Sequence, residues 1–234
     1  MTRFPQTNDS PDPLEHPVIQ LLRNAVKAGE APRLEAFADL LPQDILSAPF
    51  YSLEIPQPDS EDETLNPPNP LHTSIFGHFM ARDACIAEFG FSIPARDAVR
   101  AIAEYGPVLE VMAGKALWST FLARLIDVIA TEIAPDPRAH FPVKASDAVE
   151  AARAHIDRTV FMSWPPMDNT AFQVAQAMIP GQILCHVGEL GGCTGDYQFA
   201  DYLDTDFTAL RSIRIPQWPG IHDRLAIFRK NPPP

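Results

Sequence analysis

At 234 residues with 46% hydrophobic side chains, the chain can bury a full core, and one domain plus an extension is the natural expectation. Thirty acids against eighteen Lys and Arg leave a net charge of −12, which argues against tight nucleic-acid binding because phosphate contacts need a basic face. No apolar run approaches the ~20 residues of a membrane span, and the polar, proline-bearing amino terminus has no signal-peptide core. A cytoplasmic protein without a membrane partner is expected. Cys85, Cys185 and Cys193 form no C-x-x-C pair, so they read as reduced thiols rather than a disulfide or zinc framework.

In chain order, residues 1–13 read as a frayed tail. Val18, Leu21, Leu22, Ala25 and Val26 keep helical spacing, and Gly29 can stop that helix. A second helix is expected over residues 32–41 and a short third one after Pro42. Residues 56–70, rich in proline and acids, read as an extended linker. These features suggest a division into a helical amino-terminal extension with its linker, residues 1–70, and a second unit over residues 71–234. Helices are then expected over residues 72–91 and 95–105, and Gly106-Pro107 breaks the second of these.

Val108-Leu109-Glu110-Val111 has the short apolar character of a strand buried on both faces, and Ala113-Gly114 supplies a tight turn. Residues 115–125 have helical periodicity. Residues 126–130 form a second strand that Glu132 closes, twenty-two positions after Glu110. An acid there can accept both hydroxyls of an adenosine ribose. A third segment ends at Asp147. Residues 158–163 form the next strand and run into Trp164-Pro165-Pro166-Met167-Asp168. A helix over residues 170–178, a strand over 182–187, a loop over 188–195 and a helix from Asp196 follow. Residues 207–215 and 224–229 alternate like an antiparallel pair.

A dinucleotide site calls for G-x-G-x-x-G, and the glycine slots after Glu110 hold Met112, Gly114 and Ala116 instead, so the fit to NAD is poor. The turn, opened by Glu110 and followed by Glu132, resembles the E-x-G-x-G-x-G pattern of class I S-adenosylmethionine (SAM) methyltransferases. That resemblance runs from about residue 90 to 230. It implies an α/β Rossmann-like sheet, mostly parallel with an antiparallel last strand, helices on both faces and a helical amino-terminal extension that in such enzymes often covers the SAM pocket. It also implies SAM as cofactor, held by Glu110, Met112, Gly114, Glu132, Asp147 and Ser163, with Asp147 against the adenine amino group. The segment SWPPMD resembles the (D/N/S)-P-P-(Y/F/W) motif of methyltransferases acting on amino groups, with Trp164 in place of the polar residue. SWPPMD, VGELGGCTGD and IPQWPGIHDRL together resemble a group of bacterial methyltransferase-like proteins.

The implied activity is methyl transfer to a small molecule, with a tilt towards nitrogen. Trp164 and Pro165 are the candidate residues at the transfer centre, and His222, held by Asp223 or Glu189, is the candidate base. Trp118 and Trp164 are candidates to face the sulfonium. Two other readings stay open. One is cleavage of another sulfonium bond, as in aminocarboxypropyl transfer or cyclisation. The other is a non-catalytic interaction protein, since Met112 and Ala116 carry Cβ atoms where close ligand approach is expected. Self-association as a homo-oligomer is also open.

Overall fold

The computed structural model describes residues 12–41 and 70–233, with the side chains of residues 70–78 left aside. The tail at 1–11, the helix expected after Pro42 and most of the proline-rich linker lie outside the described residues. Helix α1 (Pro17–Ala28) starts on Pro17, where the missing amide N–H is no loss, and His16 Nδ1 accepts from the Val18 amide at 3.3 Å. It ends on Gly29, whose φ of 69° is the left-handed cap that glycine adopts without strain. The helix expected over 32–41 is only a 3₁₀ turn, Leu34–Phe37, because Arg33 offers its amino terminus no side-chain cap and burial of Phe37 and Leu41 sets the path instead.

Helix α2 (Pro70–Phe89) leads to α3 (Arg96–Ala103), and then the sheet begins. Its strands are β1 (Val108–Val111), β2 (Val128–Glu132), β3 (Val143–Ala145), β4 (Thr159–Ser163), β5 (Ile183–Gly188), β6 (Phe207–Arg214) and β7 (Arg224–Lys230). Between them run α4 (Leu117–Leu122), α5 (Ala148–Ala154), α6 (Thr170–Ala177) and α7 (Tyr197–Asp206). The strand order is β3-β2-β1-β4-β5-β7-β6, with β1 to β5 parallel and β7 antiparallel to both of its neighbours. This is the mostly parallel sheet with an antiparallel last strand that the sequence implies. No helix among the described residues is long and apolar enough to cross a membrane.

Alternation along the strands divides the core into two layers. Val108, Phe161, Cys185, Val187, Leu225 and Ile227 face one layer, where α1, α3 and α4 contribute Leu22, Val99, Trp118 and Phe121. Leu109, Val160, Met162, Leu184 and Phe228 face the other, against Ala151, Val174 and Phe199 of α5, α6 and α7. Helix α1 therefore shares its core with the sheet, and Arg23 ties it to α2 through a two-point contact with Glu88, at 2.7 and 2.8 Å.

Helix α4 is shorter than its sequence periodicity, because Gly114 to Ala116 belong to the turn and Ala116, at φ 50°, cannot continue a right-handed helix. At the far end, Leu125 and Ile126 donate amides back to the Leu122 carbonyl, so β2 begins two residues later than residue 126. Lys230, 8% exposed, donates to the carbonyls of Ala175, Gln176 and Met178 at 2.8, 2.9 and 2.8 Å and so closes the carboxyl end of α6. Lys230→Met leaves those carbonyls without this donor, and chemical denaturation is expected to show a loss of roughly 2–3 kcal/mol.

Candidate functional site

The carboxyl ends of β1, β2 and β4 open onto a cavity of about 600 Å³. Such crevices are where open α/β sheets bind ligands. Of the residues singled out from sequence, Glu110, Met112, Gly114, Glu132, Asp147, Ser163, Trp164 and Pro165 all line it. They come from four separate strand ends, and the sheet brings them together. His222 does not line it. Its ring is exposed on the β6–β7 connection, with Nδ1 3.5 Å from Glu189 and its amide donating to the same carboxylate.

The turn after β1 keeps a glycine-like path although two of its three glycine slots hold other residues. Met112 and Ala116 have φ of 54° and 50°, and Gly114 has φ 51°. Such conformations cost a residue with a Cβ about 1–2 kcal/mol. They are held by bonds from the Ala113 amide to the Thr131 carbonyl at 3.0 Å and from the Ala116 amide to the Ala113 carbonyl at 2.7 Å. The Gly114 amide donates to Glu132 Oε2 at 3.1 Å, and the Ile133 amide donates to Glu132 Oε1 at 2.8 Å. Two backbone donors thus aim this carboxylate at the cavity mouth. Ile133 stands beside it, 73% exposed. Asp147 uses Oδ1 to accept from the Val149 and Glu150 amides, capping α5 while it lines the cavity.

Deeper in, Glu110 is 1% exposed and accepts from the Ser119 hydroxyl of α4. Burial pushes its carboxyl up to about 7, with Ser119 opposing. Trp118 packs edge-on to Phe161 and donates Nε1–H to Ser92 Oγ at 2.8 Å, and Ser92 is hydrogen-bonded to Ser163 at 2.7 Å. Trp118 thus lines the cavity as part of the helix–sheet core. Phe89, Gly90, Phe91 and Ser92, at the end of α2, complete this wall. Their contribution was not legible from spacing, since no motif marks them.

On the opposite side Trp164 has φ 53°, with its amide donating to the Val187 carbonyl at 2.8 Å. Its ring stacks on Phe91, centroids 5.3 Å apart and planes within 11°. Its Nε1–H donates to Asp223 Oδ2 at 2.9 Å, and the Arg82 guanidinium lies 5.8 Å from the ring centroid. Asp223 therefore holds Trp164 rather than His222. It is 2% exposed, and burial pushes its carboxyl up to about 6. Cys193 also lines the cavity, and a hydrogen bond with Glu189 raises its thiol, so it is no activated nucleophile. Trp218, from the same connection as His222, is buried in the first core layer.

The sheet order and the cavity at its carboxyl ends are those of a Rossmann-like α/β fold. No family model and no curated protein matches the chain. Similar solved structures include the N-methyltransferase NodS from Bradyrhizobium japonicum with S-adenosylhomocysteine, 15% identical over 57% of this chain and 84% of that one, TM-score 0.43. Another is the Burkholderia thailandensis 1,6-didemethyltoxoflavin-N1-methyltransferase, 16% identical over 73% of this chain and 93% of that one, TM-score 0.43. A third is TrmN from Thermus thermophilus, 13% identical over 57% of this chain and 47% of that one, TM-score 0.42. The chain spans about half the length of TrmN.

The two raised carboxyls link stability to pH. Each binds its proton more tightly folded than unfolded, so the stabilisation is complete below the unfolded values near 4 and is lost as pH rises through about 6 for Asp223 and 7 for Glu110. His186, fully buried, is lowered to about 3 and works in the opposite sense below its ordinary range. Comparison of Glu110→Gln with the parent isolates one group. Thermal unfolding from pH 5 to 8 is expected to show the variant gaining on the parent as pH rises, by a few kcal/mol at most.

Proposed function

We propose that the protein is a SAM-dependent methyltransferase acting on a small molecule. The observation that carries this reading is the Glu132 carboxylate, held by two backbone amides at the end of β2 where it lines the cavity. Glu110, Glu132, Asp147 and Asp168 line that cavity, and the ammonium of Lys115, the one Lys or Arg among the described lining residues, is paired with Asp136. This charge balance disfavours a dinucleotide and suits a nucleoside carrying a positive sulfonium. The volume is in the range of small-ligand sites.

In this reading Glu132 takes the ribose hydroxyls, Ile133 offers apolar cover to the base, and Asp147 stands beside the adenine edge. The positive-φ turn through Met112, Gly114 and Ala116 lets the backbone approach the methionine end. It also supports retention of the cofactor over the non-catalytic reading, because the glycine-like path survives the loss of two glycines. When bound, SAM supplies an activated methyl group that needs no acid or base to leave. The chain's own work is then to align the acceptor and exclude water. Trp118, Trp164 and Phe91 serve that end with an aromatic wall. The overall acidity and the cavity's four lining acids support a small acceptor over a nucleic acid.

Calorimetric titration with S-adenosylhomocysteine tests the reading. Micromolar binding by the parent, weakened at least about tenfold in Glu132→Ala, is the expected result and corresponds to about 1.4 kcal/mol or more. Absence of heat from folded parent protein refutes it. With SAM and an acceptor, S-adenosylhomocysteine as product indicates methyl transfer, and methylthioadenosine indicates the alternative bond cleavage.

A further inference from the structure

On the side of the cavity formed by the β4 end, the arrangement is unlike one built to receive an aliphatic amine. The side chain at position 164 has a single polar atom, Nε1, and its hydrogen is given to Asp223 Oδ2 at 2.9 Å. The carbonyl of Pro165 accepts from the Gly195 amide at 3.2 Å. Asp168 spends Oδ1 on the Thr170 amide at 2.9 Å. The Cys193 thiol is raised by its hydrogen bond with Glu189, and His222 is not among the residues that line the cavity. Among the described residues lining this side no histidine is present, and carboxylates, ordinarily weak bases, are the remaining acceptors for an ammonium proton. An aliphatic amine arrives protonated at neutral pH and would call for a stronger base.

The surface is instead aromatic and rigid. Phe91 and Trp164 stack at 5.3 Å with planes 11° apart, yet Phe91 remains 47% exposed. Pro165 and Pro166 extend the wall, and Met167, 69% exposed, follows them. Trp164 cannot turn freely. Its backbone is held in the left-handed region by the Val187 carbonyl, and its indole by an Asp223 carboxylate that is itself 2% exposed. Gln217 fixes the Asp223 backbone through a 2.6 Å bond to its carbonyl.

Resting on the methyltransferase reading above, we propose that the acceptor is a planar heteroaromatic molecule methylated at a ring nitrogen, and that Trp164, set by Asp223, is the residue that selects it. A ring nitrogen of this kind presents its lone pair unprotonated at neutral pH, so no base is required. Its lone pair forms the new bond to the methyl carbon while the methyl–sulfur bond breaks with both electrons staying on sulfur. The positive charge passes to the ring, where the carboxylates lining the cavity balance it beside the Arg82 guanidinium that lies against Trp164.

The test uses the full chain with SAM and four probe acceptors: quinoline, 1-methylbenzimidazole, benzylamine and naphthalene-2-thiol. Formation of S-adenosylhomocysteine is followed, and its affinity is measured in parallel. Expected is transfer to quinoline or the benzimidazole at least tenfold faster in kcat/KM than to benzylamine. In Trp164→Asn, a residue that tolerates positive φ, this ratio is expected to fall at least tenfold, and S-adenosylhomocysteine affinity measured on the same variant separates loss of selection from loss of cofactor binding. Asp223→Asn, which keeps an oxygen for the indole N–H, is expected to retain most of the ratio, whereas Asp223→Ala lowers it. Preference for benzylamine, transfer to the thiol alone, no transfer to any probe, or a ratio indifferent to Trp164→Asn each overturns the proposal. Loss of S-adenosylhomocysteine binding by the parent protein overturns the cofactor reading instead.

Discussion

Backbone held at positive φ on residues that carry side chains is the constraint on which this site depends. Met112 and Ala116 after β1, and Trp164 after β4, lie at φ 50–54°. An isolated chain would leave that region at once, since each such residue costs about 1–2 kcal/mol. The sheet keeps them there because neighbouring strands supply hydrogen-bond partners at the right height: the Thr131 carbonyl from β2 for the first turn, and the Val187 carbonyl from β5 for the second. Two adjacent strands then turn away from one another, and the space between their ends is the cavity.

The charge inside that space follows from the same geometry. Glu110 falls on the side of β1 that faces α4, so it is buried, meets Ser119 and resists ionisation. Glu132 sits at the strand's end and is approached by amides, so it stays turned to the cavity. Lys115 is drawn to Asp136, which is held well below the usual carboxylate range by that ammonium and by Arg138. The acidity of the lining is in this sense a property of placement as well as of composition.

The amino-terminal helices are part of this architecture rather than a separate layer. Helix α1 buries Val18, Ile19 and Leu22 in the same core as Trp118 and Phe161, and α2 delivers Phe91 and Ser92 to the cavity. One end of α2 is thus tied to α1 through Glu88 and to the site through the residues that follow Phe89.

Much of the fold was legible because local periodicity and turn chemistry agree with it. The apolar run of β1, the Gly106-Pro107 break, the acid ending β2 and the alternation of β6 and β7 needed no tertiary information. Where the expectation failed, tertiary forces had overridden propensity. Residues 32–41 gave up a helix to bury Phe37 and Leu41, and α4 lost its first turn to the left-handed Ala116. At the site, sequence spacing singled out Glu110, Gly114 and Glu132, because a strand end and the turn after it lie within a few residues of each other. It could not pair Trp164 with Asp223, fifty-nine residues apart, or bring Phe91 against Trp164, since only the closed sheet sets such distances. By itself the sequence determined the strands, the acids at their ends and the net negative charge. The tertiary structure alone decided which aromatic and buried carboxyl groups meet, because those contacts come from side-chain packing between strand ends and not from any periodicity along the chain.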